Sequence, residues 1–347
     1  MTHMAATQHD QLGLARFQLE LERVLRRWLE LEEESGIDPM WSSARAMVSE
    51  YALRPAKRVR PTLLAAGYAV ATGRVDTEGI VDFGVGLELL HAFMLVHDDV
   101  ADRALTRRGG PALHLAMGGD RVGESLAIVS GDHLYARAME AMLASSSPSA
   151  LAATRYMLEV CRHTAAGQHL DLVLTHTPLA KVSLAQAVRV ARLKTAKYGF
   201  VAPLVCGAML GGADASVIRS LERIGRSTGL AYQLRDDVLG LFGDIHLAGK
   251  DGGGDYLEGK RTFPVLAAWT RANPEGRSRL EHLWSAPHPG SLDDARAEVI
   301  KWGGLEATQR VVRNATAQAR TRLKALPETP ATPLLDGLLA SMVARVS

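Results

Sequence analysis

Apolar residues recur along most of this chain at the three- and four-residue spacing of amphipathic α-helices, and the alternation typical of β-strands is rare. Clear helical patterns cover residues 11–35, 40–52, 62–71, 123–144, 150–175, 183–211 and 214–241. Shorter patterns, which we expect to form surface helices, cover residues 262–271, 276–285, 291–301, 305–326 and 333–346. The sequence therefore predicts an all-α fold. No linker is long enough to mark a domain boundary, so we expect one domain over residues 1–347, with residues 1–10 disordered.

The longest apolar stretch runs from Ile80 to Val96 and ends in an acidic cluster. It is too long for one strand and too polar for a membrane span, which indicates a buried helix. Asp98, Asp99 and Asp102 follow it. Successive helical residues are about 100° apart, so Asp98 and Asp102 share one face and Asp99 lies to the side. Magnesium is commonly held by one or two carboxylates together with phosphate oxygens, so the cluster predicts a site for Mg²⁺ and a diphosphate.

A second acidic cluster, with Gln233, Asp236 and Asp237, closes another apolar helical segment that ends near Leu241. One motif of this kind is a weak signal, and its plain interpretation is a solvated helix end. Two such clusters, each closing an apolar helix, are a much stronger signal. Facing each other across a cavity, they would bind a cluster of magnesium ions and diphosphate.

The composition excludes several classes of protein. Of the 347 residues, 47% are hydrophobic, which is enough for a sizeable core, and a formal net charge of +2 argues against nucleic-acid binding by bulk electrostatics. Cys161 and Cys206 have no metal-ligand spacing, so we expect buried thiols in a reducing cytoplasm. No run reaches the roughly 18 apolar residues of a membrane span, and we expect no signal peptide.

Basic residues stand in or beside the predicted loops, where they would meet the phosphates that the acidic clusters predict. They are Lys57, Arg60, Arg107, Arg108, Lys194, Lys250 and Lys260. Arginine matches phosphate oxygens bidentately, and lysine supplies a mobile point charge. Taken singly, each is an ordinary surface charge; their placement beside Pro or Gly turns next to the acidic helices favours phosphate binding. His91 lies two turns before Asp98, where a core histidine and a ligand-binding histidine remain alternatives.

These motifs resemble the trans-isoprenyl diphosphate synthases of the polyprenyl synthetase group. The segment HDDVADRALTRRGGPALH, residues 97–114, is similar to the first aspartate-rich region of that family. RDDVLGLFGD at 235–244 resembles the second region, and GK at 249–250 and EGKRTFP at 258–264 resemble the loop that follows it. PAKRVRP at 55–61, GQHLDL at 167–172 and LKTAKYG at 193–199 also match, so the resemblance runs from about residue 57 to residue 264.

The resemblance implies an isoprenoid synthase fold, with antiparallel helices around a central cavity, and usually a homodimer. It implies that Asp98, Asp102 and Asp236 hold about three Mg²⁺ ions, with Asp99 and Asp237 in support. The residues implied to bind the allylic diphosphate are Arg107, Lys194 and Lys260. Those implied to bind isopentenyl diphosphate are Lys57, Arg60, His91 and Arg108. Gln233 and Lys250 are expected beside the bound diphosphates.

The implied reaction is a head-to-tail condensation in a cytoplasmic enzyme. Magnesium and basic side chains draw charge from the allylic diphosphate, which leaves, and the double bond of isopentenyl diphosphate attacks the allylic cation. We expect Phe93 and Met94, one turn before Asp98, to limit the product, because five residues of helix rise about 7.5 Å. A single aromatic there favours geranylgeranyl diphosphate, and farnesyl or geranyl diphosphate are the alternatives.

Two features depart from the commoner family pattern. Gly240 stands where the second motif often has its last aspartate, which puts in doubt a direct metal role beyond Asp236. Asp244 is the candidate to compensate. Pro55 and Ala56 replace two glycines, which changes the turn but leaves its basic residues in place.

Two other classes of protein compete with this interpretation. A class I terpene cyclase also has an aspartate-rich helix, but its second metal motif typically combines Asn or Asp, Ser or Thr, and Glu. This chain has Asp236 and Asp237 there, together with basic residues for a second diphosphate. A non-catalytic regulatory subunit usually lacks the first aspartates, which this chain has. Both alternatives are therefore disfavoured.

Overall fold

The structure of the protein, a computed structural model, describes residues 2–30, 38–74, 79–243, 252–326, 328–329 and 331–343, with side chains from residue 13 onward. The chain divides into two compact units. Unit 1 comprises Met1–Tyr156, Pro203–Ile218 and Glu328–Leu335, and unit 2 comprises Met157–Ala202, Arg219–Pro327 and Asp336–Ser347. The expectation of a single domain stays a prediction.

The first part of the chain forms long helices and one short hairpin. The helices are α1 (Thr2–Glu30), α2 (Pro39–Leu53), α3 (Val59–Thr72), α4 (Val81–Ala101), α5 (Leu113–Ala116) and α6 (Arg121–Leu143). Strands β1 (Thr106–Arg107) and β2 (Gly110–Pro111) pair antiparallel between α4 and α5.

The remaining elements are also helical. They are α7 (Ala150–Thr175), a 3₁₀ turn (Leu179–Lys181), α8 (Leu184–Val190), a π-helix (Ala191–Val201), α9 (Ala202–Leu210) and α10 (Ala215–Phe242). Beyond residue 251 follow α11 (Gly254–Leu257), α12 (Phe263–Arg271), α13 (Pro274–Ser285), a 3₁₀ turn (Pro289–Ser291), α14 (Leu292–Lys301), α15 (Gly304–Leu323) and α16 (Ala331–Val343).

The predicted all-α class is confirmed, and several helix starts have a local cause. Ser183 begins α8 with a capping box, in which its hydroxyl accepts from the backbone N–H of Gln186 and the Gln186 side chain accepts from that of Ser183. Asp120 begins α6, where its carboxylate accepts from the backbone N–H of Gly123 at 2.8 Å. Side-chain oxygens thus satisfy N–H groups that have no partner inside the helix.

The structure also differs from the expectations in particular places. Helix α1 begins at Thr2, whereas the sequence predicted disorder ahead of a helix from residue 11; alanine and glutamine in that stretch are good helix formers. The prediction that the later helices lie at the surface is wrong for α12. Its residues 263–268 are buried, because they form a continuous apolar run that packs into the core of unit 2.

The predicted buried helix before the first acidic cluster is confirmed as α4. Phe83, Leu87 and Leu90 are among its fully buried side chains, and the helix packs mainly along α6. Within the described part of the chain, none of the helices combines the length and the apolar run that crossing a membrane needs.

Helices α3 and α9 of unit 1 cross so closely that backbone meets backbone. A Cβ on Gly67 would lie 2.2 Å from the carbonyl oxygen of Leu204, and a Cβ on Gly207 would lie 2.0 Å from that of Leu64. No rotamer change relieves such a clash, because the obstructing atoms belong to the main chain. Glycine at both positions is therefore a condition of this crossing.

Gly67→Ala is expected to destabilise the protein by at least about 2 kcal/mol, since overpacking that forces a backbone shift costs typically 1–3 kcal/mol or more. The measurement is urea unfolding followed by far-UV circular dichroism. Gly337→Ala is the matched control, because Gly337 lies in α16 with nothing within 4 Å of its Cβ position. The control should be neutral or stabilising, and equal losses in both variants would contradict the close crossing.

Candidate active site

The first acidic cluster closes α4. The backbone N–H of Asp102 donates to the carbonyl of Asp98 at 2.8 Å, so helical geometry continues through the cluster. The two side chains share a face and are half-buried. Carboxylates at the C-terminal end of a helix face the negative end of its dipole, which favours a bound cation there. The same-face arrangement matches the predicted spacing, and the metal role of the pair stays a prediction.

Asp99, between them in sequence, is fully buried and joins three elements. The hydroxyl of Tyr51 on α2 donates to its Oδ2 at 2.8 Å. The Nε of Arg107 on β1 donates to its Oδ1 at 2.8 Å, and Nη2 of the same arginine contacts that oxygen as well. Burial and the neighbouring Asp99 carboxylate raise the pKa of Tyr51, so the hydroxyl remains a donor. The partners of Asp99 thus fix the end of α4, and its supporting role in metal binding stays a prediction.

Arg107 and Arg108 lie in a hairpin between α4 and α5, where the sequence predicted no strand. The pairs Thr106↔Pro111 and Arg107↔Gly110 leave Arg108 and Gly109 as a two-residue turn. Both have left-handed backbone, with φ of 50° and 78°, as a type I′ turn requires. A non-glycine residue held there costs on the order of 1–3 kcal/mol and is typical of functional sites.

Arg54, just after α2, holds this hairpin in place. Its Nη1 donates to the carbonyl oxygens of Arg107 at 2.9 Å and Pro111 at 2.8 Å, and its guanidinium pairs with Glu50. The sequence predicted no role for Arg54 or for Tyr51. Their partners lie about 50 positions away along the chain, so no local pattern could have identified them.

His91 lies among arginines on the same unit. Burial lowers its pKa well below the usual value, and the charges of Arg60, Arg108, Arg107 and Arg58 lower it further. The imidazole is therefore neutral at physiological pH. Three of the residues implied to bind isopentenyl diphosphate, His91, Arg60 and Arg108, thus influence one another electrostatically.

The charge of this group is only partly balanced by protein carboxylates. Arg58 pairs with Glu22 at 2.7 Å and with Glu88 at 2.8 Å, and Arg107 is held by Asp99. Burial lowers the pKa of Arg108, and among the described residues no carboxylate forms an ion pair with it. The arginines around His91 are therefore suited to bind an anion. Lys57, the fourth residue of the predicted set, is exposed.

The second acidic cluster lies on α10 in unit 2. Asp236 is exposed, whereas Asp237 is buried. The Nε2 of Gln233 donates to Oδ1 of Asp237 at 2.7 Å, and the backbone N–H of Phe263 donates to its Oδ2 at 3.4 Å. Burial raises the pKa of Asp237 to about 8, with Asp255 as a further cause. Asp237 thus serves as an internal anchor, and Asp236 is the carboxylate that reaches solvent.

Two predicted lysines of unit 2 are held by carboxylates. Lys194 lies in the π-helix, and its Nζ donates to Oδ2 of Asp171 on α7 at 2.9 Å. Lys260 contacts Glu258 and lies 3.8 Å from Oδ1 of Asp255. The sequence predicted a continuous α-helix over 183–211. π-Helices are rare in proteins, and those that occur are frequently found at functional sites.

Phe93 and Met94, the predicted floor residues, are half-buried on α4. The Phe93 ring lies 4.6 Å from the His97 ring, edge to face, and 5.3 Å from the ring of Tyr135 on α6. The sequence did not assign Tyr135, because its contact with Phe93 crosses from one helix to another. Phe93 therefore belongs to a cluster of three rings close to the first acidic cluster.

The two carboxylates of the first acidic cluster are enough for a magnesium ion whose other ligands are water and phosphate. Within the described ranges, no three His, Cys, Asp or Glu side chains converge as a metal-binding group. Magnesium keeps water and phosphate ligands and needs only one or two carboxylates from the protein, so Asp98 with Asp102 is sufficient when a diphosphate supplies the rest. Lys250 and Asp244 lie outside the described residues.

Comparisons with known proteins identify the family of the chain. A family model described as polyprenyl synthetase matches residues 43–299. A geranylgeranyl diphosphate synthase of Mycobacterium tuberculosis is 34% identical, over 81% of this chain and 78% of its own length. A (2E,6E)-farnesyl diphosphate synthase of the same species is also 34% identical, over 81% of this chain and 77% of its own.

The solved structure of a geranylgeranyl pyrophosphate synthase from Corynebacterium glutamicum, complexed with isoprenyl diphosphate and magnesium, has a TM-score of 0.87 to this chain at 29% identity. The match covers 96% of this chain and 99% of that one. The isoprenoid synthase fold and the enzyme class that the sequence implied, a prenyl diphosphate synthase, are confirmed. The chain belongs to the polyprenyl synthetase family of transferases.

Proposed function

We propose that this chain condenses isopentenyl diphosphate with an allylic diphosphate in a Mg²⁺-dependent reaction, with geranylgeranyl diphosphate as the main product. The observation that carries the proposal is the same-face pair Asp98 and Asp102, in the unit that also holds the arginine group around His91. Farnesyl or geranyl diphosphate is the alternative product. A terpene cyclase or a non-catalytic subunit fits less well, because both acidic clusters and the basic group are present.

The acidic residues would hold the metal and the basic residues the phosphates. Asp98, Asp102 and Asp236 are the proposed ligands of about three Mg²⁺ ions, which when bound draw charge from the departing diphosphate. Lys194 and Lys260 neutralise further charge on the allylic substrate. Preorganised positive groups of this kind are usually a large part of catalysis, because they need no rearrangement as charge develops.

Isopentenyl diphosphate would be bound by Arg60, Arg108 and His91, with exposed Lys57 at the rim. A neutral His91 donates or accepts a hydrogen bond without adding to the positive charge. Arg108 is half-buried and forms no carboxylate ion pair among the described residues, so a bound phosphate would supply the counter-charge that partial burial makes favourable. The left-handed turn that presents it is the kind of strain that a site retains for function.

A homodimer is also part of the proposal. Helix α6 exposes Val122, Leu126 and Val129, with 62%, 47% and 59% of their surface accessible. These positions lie on one face of the helix, and a contiguous apolar face is typical of a protein interface. A second copy of the chain is the proposed occupant. A cytoplasmic location is also proposed, because two cysteines in 347 residues suggest no disulfide framework.

Asp98→Ala is expected to lower turnover more than tenfold while leaving the fold intact, because the side chain is half-buried and would act as a ligand. A tenfold loss corresponds to about 1.4 kcal/mol of transition-state stabilisation. The measurement is the initial rate of product formation, with circular dichroism as the test of folding. Asp293→Ala is the control: its carboxylate is 96% exposed in a surface pair and should be silent. A folded variant that keeps over a tenth of the rate refutes the metal role.

Arg108→Gln and Lys194→Gln should each weaken the binding of a different substrate. Each replaces a charged side chain with a neutral one, and a hydrogen bond to a charged group contributes about 1.5–3 kcal/mol, which is tenfold or more in affinity. Arg108→Gln should raise KM mainly for isopentenyl diphosphate, and Lys194→Gln mainly for the allylic diphosphate. Initial rates with each substrate varied in turn measure this. Equal shifts in both KM values would contradict separate binding of the two diphosphates.

Phe93→Ala should lengthen the product, because the ring lies one turn before Asp98 and would stop the growing tail. Products are identified by mass spectrometry after dephosphorylation. Tyr135→Phe keeps the neighbouring ring and should leave the distribution as it is. Unchanged products from an active Phe93→Ala variant would remove Phe93 as the floor.

A further inference from the structure

Helix α15 carries a local concentration of positive charge. Residues 304–324, which are the helix and its C-cap, contain five basic residues and one acidic residue, Glu306. Because the formal net charge of the whole chain is only +2, the remainder of the chain has a negative balance. The positive charge therefore belongs to this helix and does not follow from a basic protein.

Four of the five basic side chains lie on one exposed stripe of α15. They are Arg310, Arg313, Arg320 and Lys324. At 100° per residue, their directions fall within about 80° of one another. The opposite side of the helix, with Ala315, Ala319 and Leu323, is buried, and α15 packs mainly on α12. The helix thus keeps its apolar side in the protein and turns its charges to solvent.

Helix α10 adds a second row of arginines beside this stripe. Arg219, Arg223 and Arg226 are spaced by four and three residues, so they share one face of the helix, and all three are exposed. The Nη1 of Arg322 on α15 donates to the carbonyl oxygen of Arg223 at 3.3 Å, so the two helices are neighbours there. We call the exposed basic residues of both helices the basic face: Arg219, Arg223, Arg226, Arg310, Arg313, Arg320 and Lys324.

Little of this charge is neutralised within the described part of the chain. Glu222 pairs with Arg226 at 2.7 Å. Glu306 begins the α15 stripe, and Asp336 lines a crevice together with Arg320, but neither carboxylate forms an ion pair with the basic face among the described residues. Side chains of like charge on neighbouring helices repel one another, and an anionic partner would relieve that repulsion.

We propose that the basic face binds the surface of an anionic phospholipid bilayer. Clusters of about four to eight Lys and Arg residues on an amphipathic helix are typical of binding to anionic lipids, and each charge near the surface strengthens binding about fivefold. The apolar side of α15 is already packed within the protein. The contact is therefore electrostatic, without insertion of the helix into the bilayer.

Two arguments favour a membrane over nucleic acid. Helix α15 has no aromatic residue, whereas proteins that bind single strands typically stack bases on aromatic side chains. A formal net charge of +2 also gives little long-range attraction for nucleic acid. The choice of a membrane rests in addition on the proposed function, because a prenyl diphosphate joins an apolar tail to an anionic head and partitions into a bilayer. The basic face would hold the enzyme where its product collects.

Cosedimentation of the full chain with vesicles tests the proposal without substrate, so the result does not depend on turnover. Wild type should bind vesicles of equal parts phosphatidylglycerol and phosphatidylcholine at about 0.1 M NaCl. It should be released at about 1 M NaCl, because the Debye length falls from about 10 Å to about 3 Å. No binding to these vesicles, or equal binding to vesicles of phosphatidylcholine alone, would overturn the proposal. Tighter binding to a DNA duplex than to the anionic vesicles would assign the basic face to nucleic acid and would also overturn it.

A matched pair of double variants tests the basic face itself. Arg313→Gln combined with Arg320→Gln should weaken binding to the anionic vesicles at least about tenfold, since two such charges together contribute about 25-fold. Arg23→Gln combined with Arg279→Gln removes the same charge from exposed positions outside the basic face, where each arginine pairs with a carboxylate. This control should weaken binding less than about threefold, because pairing with a carboxylate already offsets each charge. Equal losses in two variants that are both folded by circular dichroism would show that only net charge matters, which would overturn the proposal.

Discussion

The buried carboxylate of Asp99 is the constraint on which the first acidic cluster depends. Asp99 is fully buried. Removing a charged side chain from solvent costs free energy unless the charge is paired and hydrogen-bonded. Tyr51 and Arg107 supply the partners, and in doing so they bring α2 and the hairpin to the end of α4. Asp98 and Asp102 therefore lie on a helix end that cannot move without exposing the Asp99 carboxylate or breaking its hydrogen bonds. Loss of one partner from such a pair typically costs about 3–5 kcal/mol.

The need to pair buried charges also applies to the arginines of unit 1. Arg58 and Arg107 have carboxylate partners, and Arg54 is bound to the hairpin carbonyls, so these three hold the structure. Arg108 differs, since it is presented on a strained turn and has no carboxylate ion pair among the described residues. The basic residues of one short region therefore divide into those that build the site and those available to an anion. Sequence spacing alone could not make that division.

The fold was largely predictable because long helices carry their signal within a few turns of sequence. Helix α4 and the helix that Ser183 caps could be read from apolar spacing and a capping residue. Strands of two residues leave no alternation to read, so the hairpin at residues 106–111 was missed. The expected surface placement of α12 was wrong, because its short apolar run is covered by residues of unit 2 that are distant in sequence.

The candidate site was predictable to a similar degree, and for the same reason. The aspartates were identified because they interrupt apolar helices within one local segment. Tyr51 and Tyr135 were missed because each acts through a contact that is distant in sequence.

The most direct measurement is the product formed by the purified wild-type chain from isopentenyl diphosphate and each allylic diphosphate in turn, with Mg²⁺ or with EDTA. We expect linear prenyl diphosphates with Mg²⁺, with geranylgeranyl diphosphate predominant, and none in EDTA. Cyclic hydrocarbon, turnover that persists in EDTA, or no turnover with any allylic substrate in the presence of Mg²⁺ would contradict the proposed function.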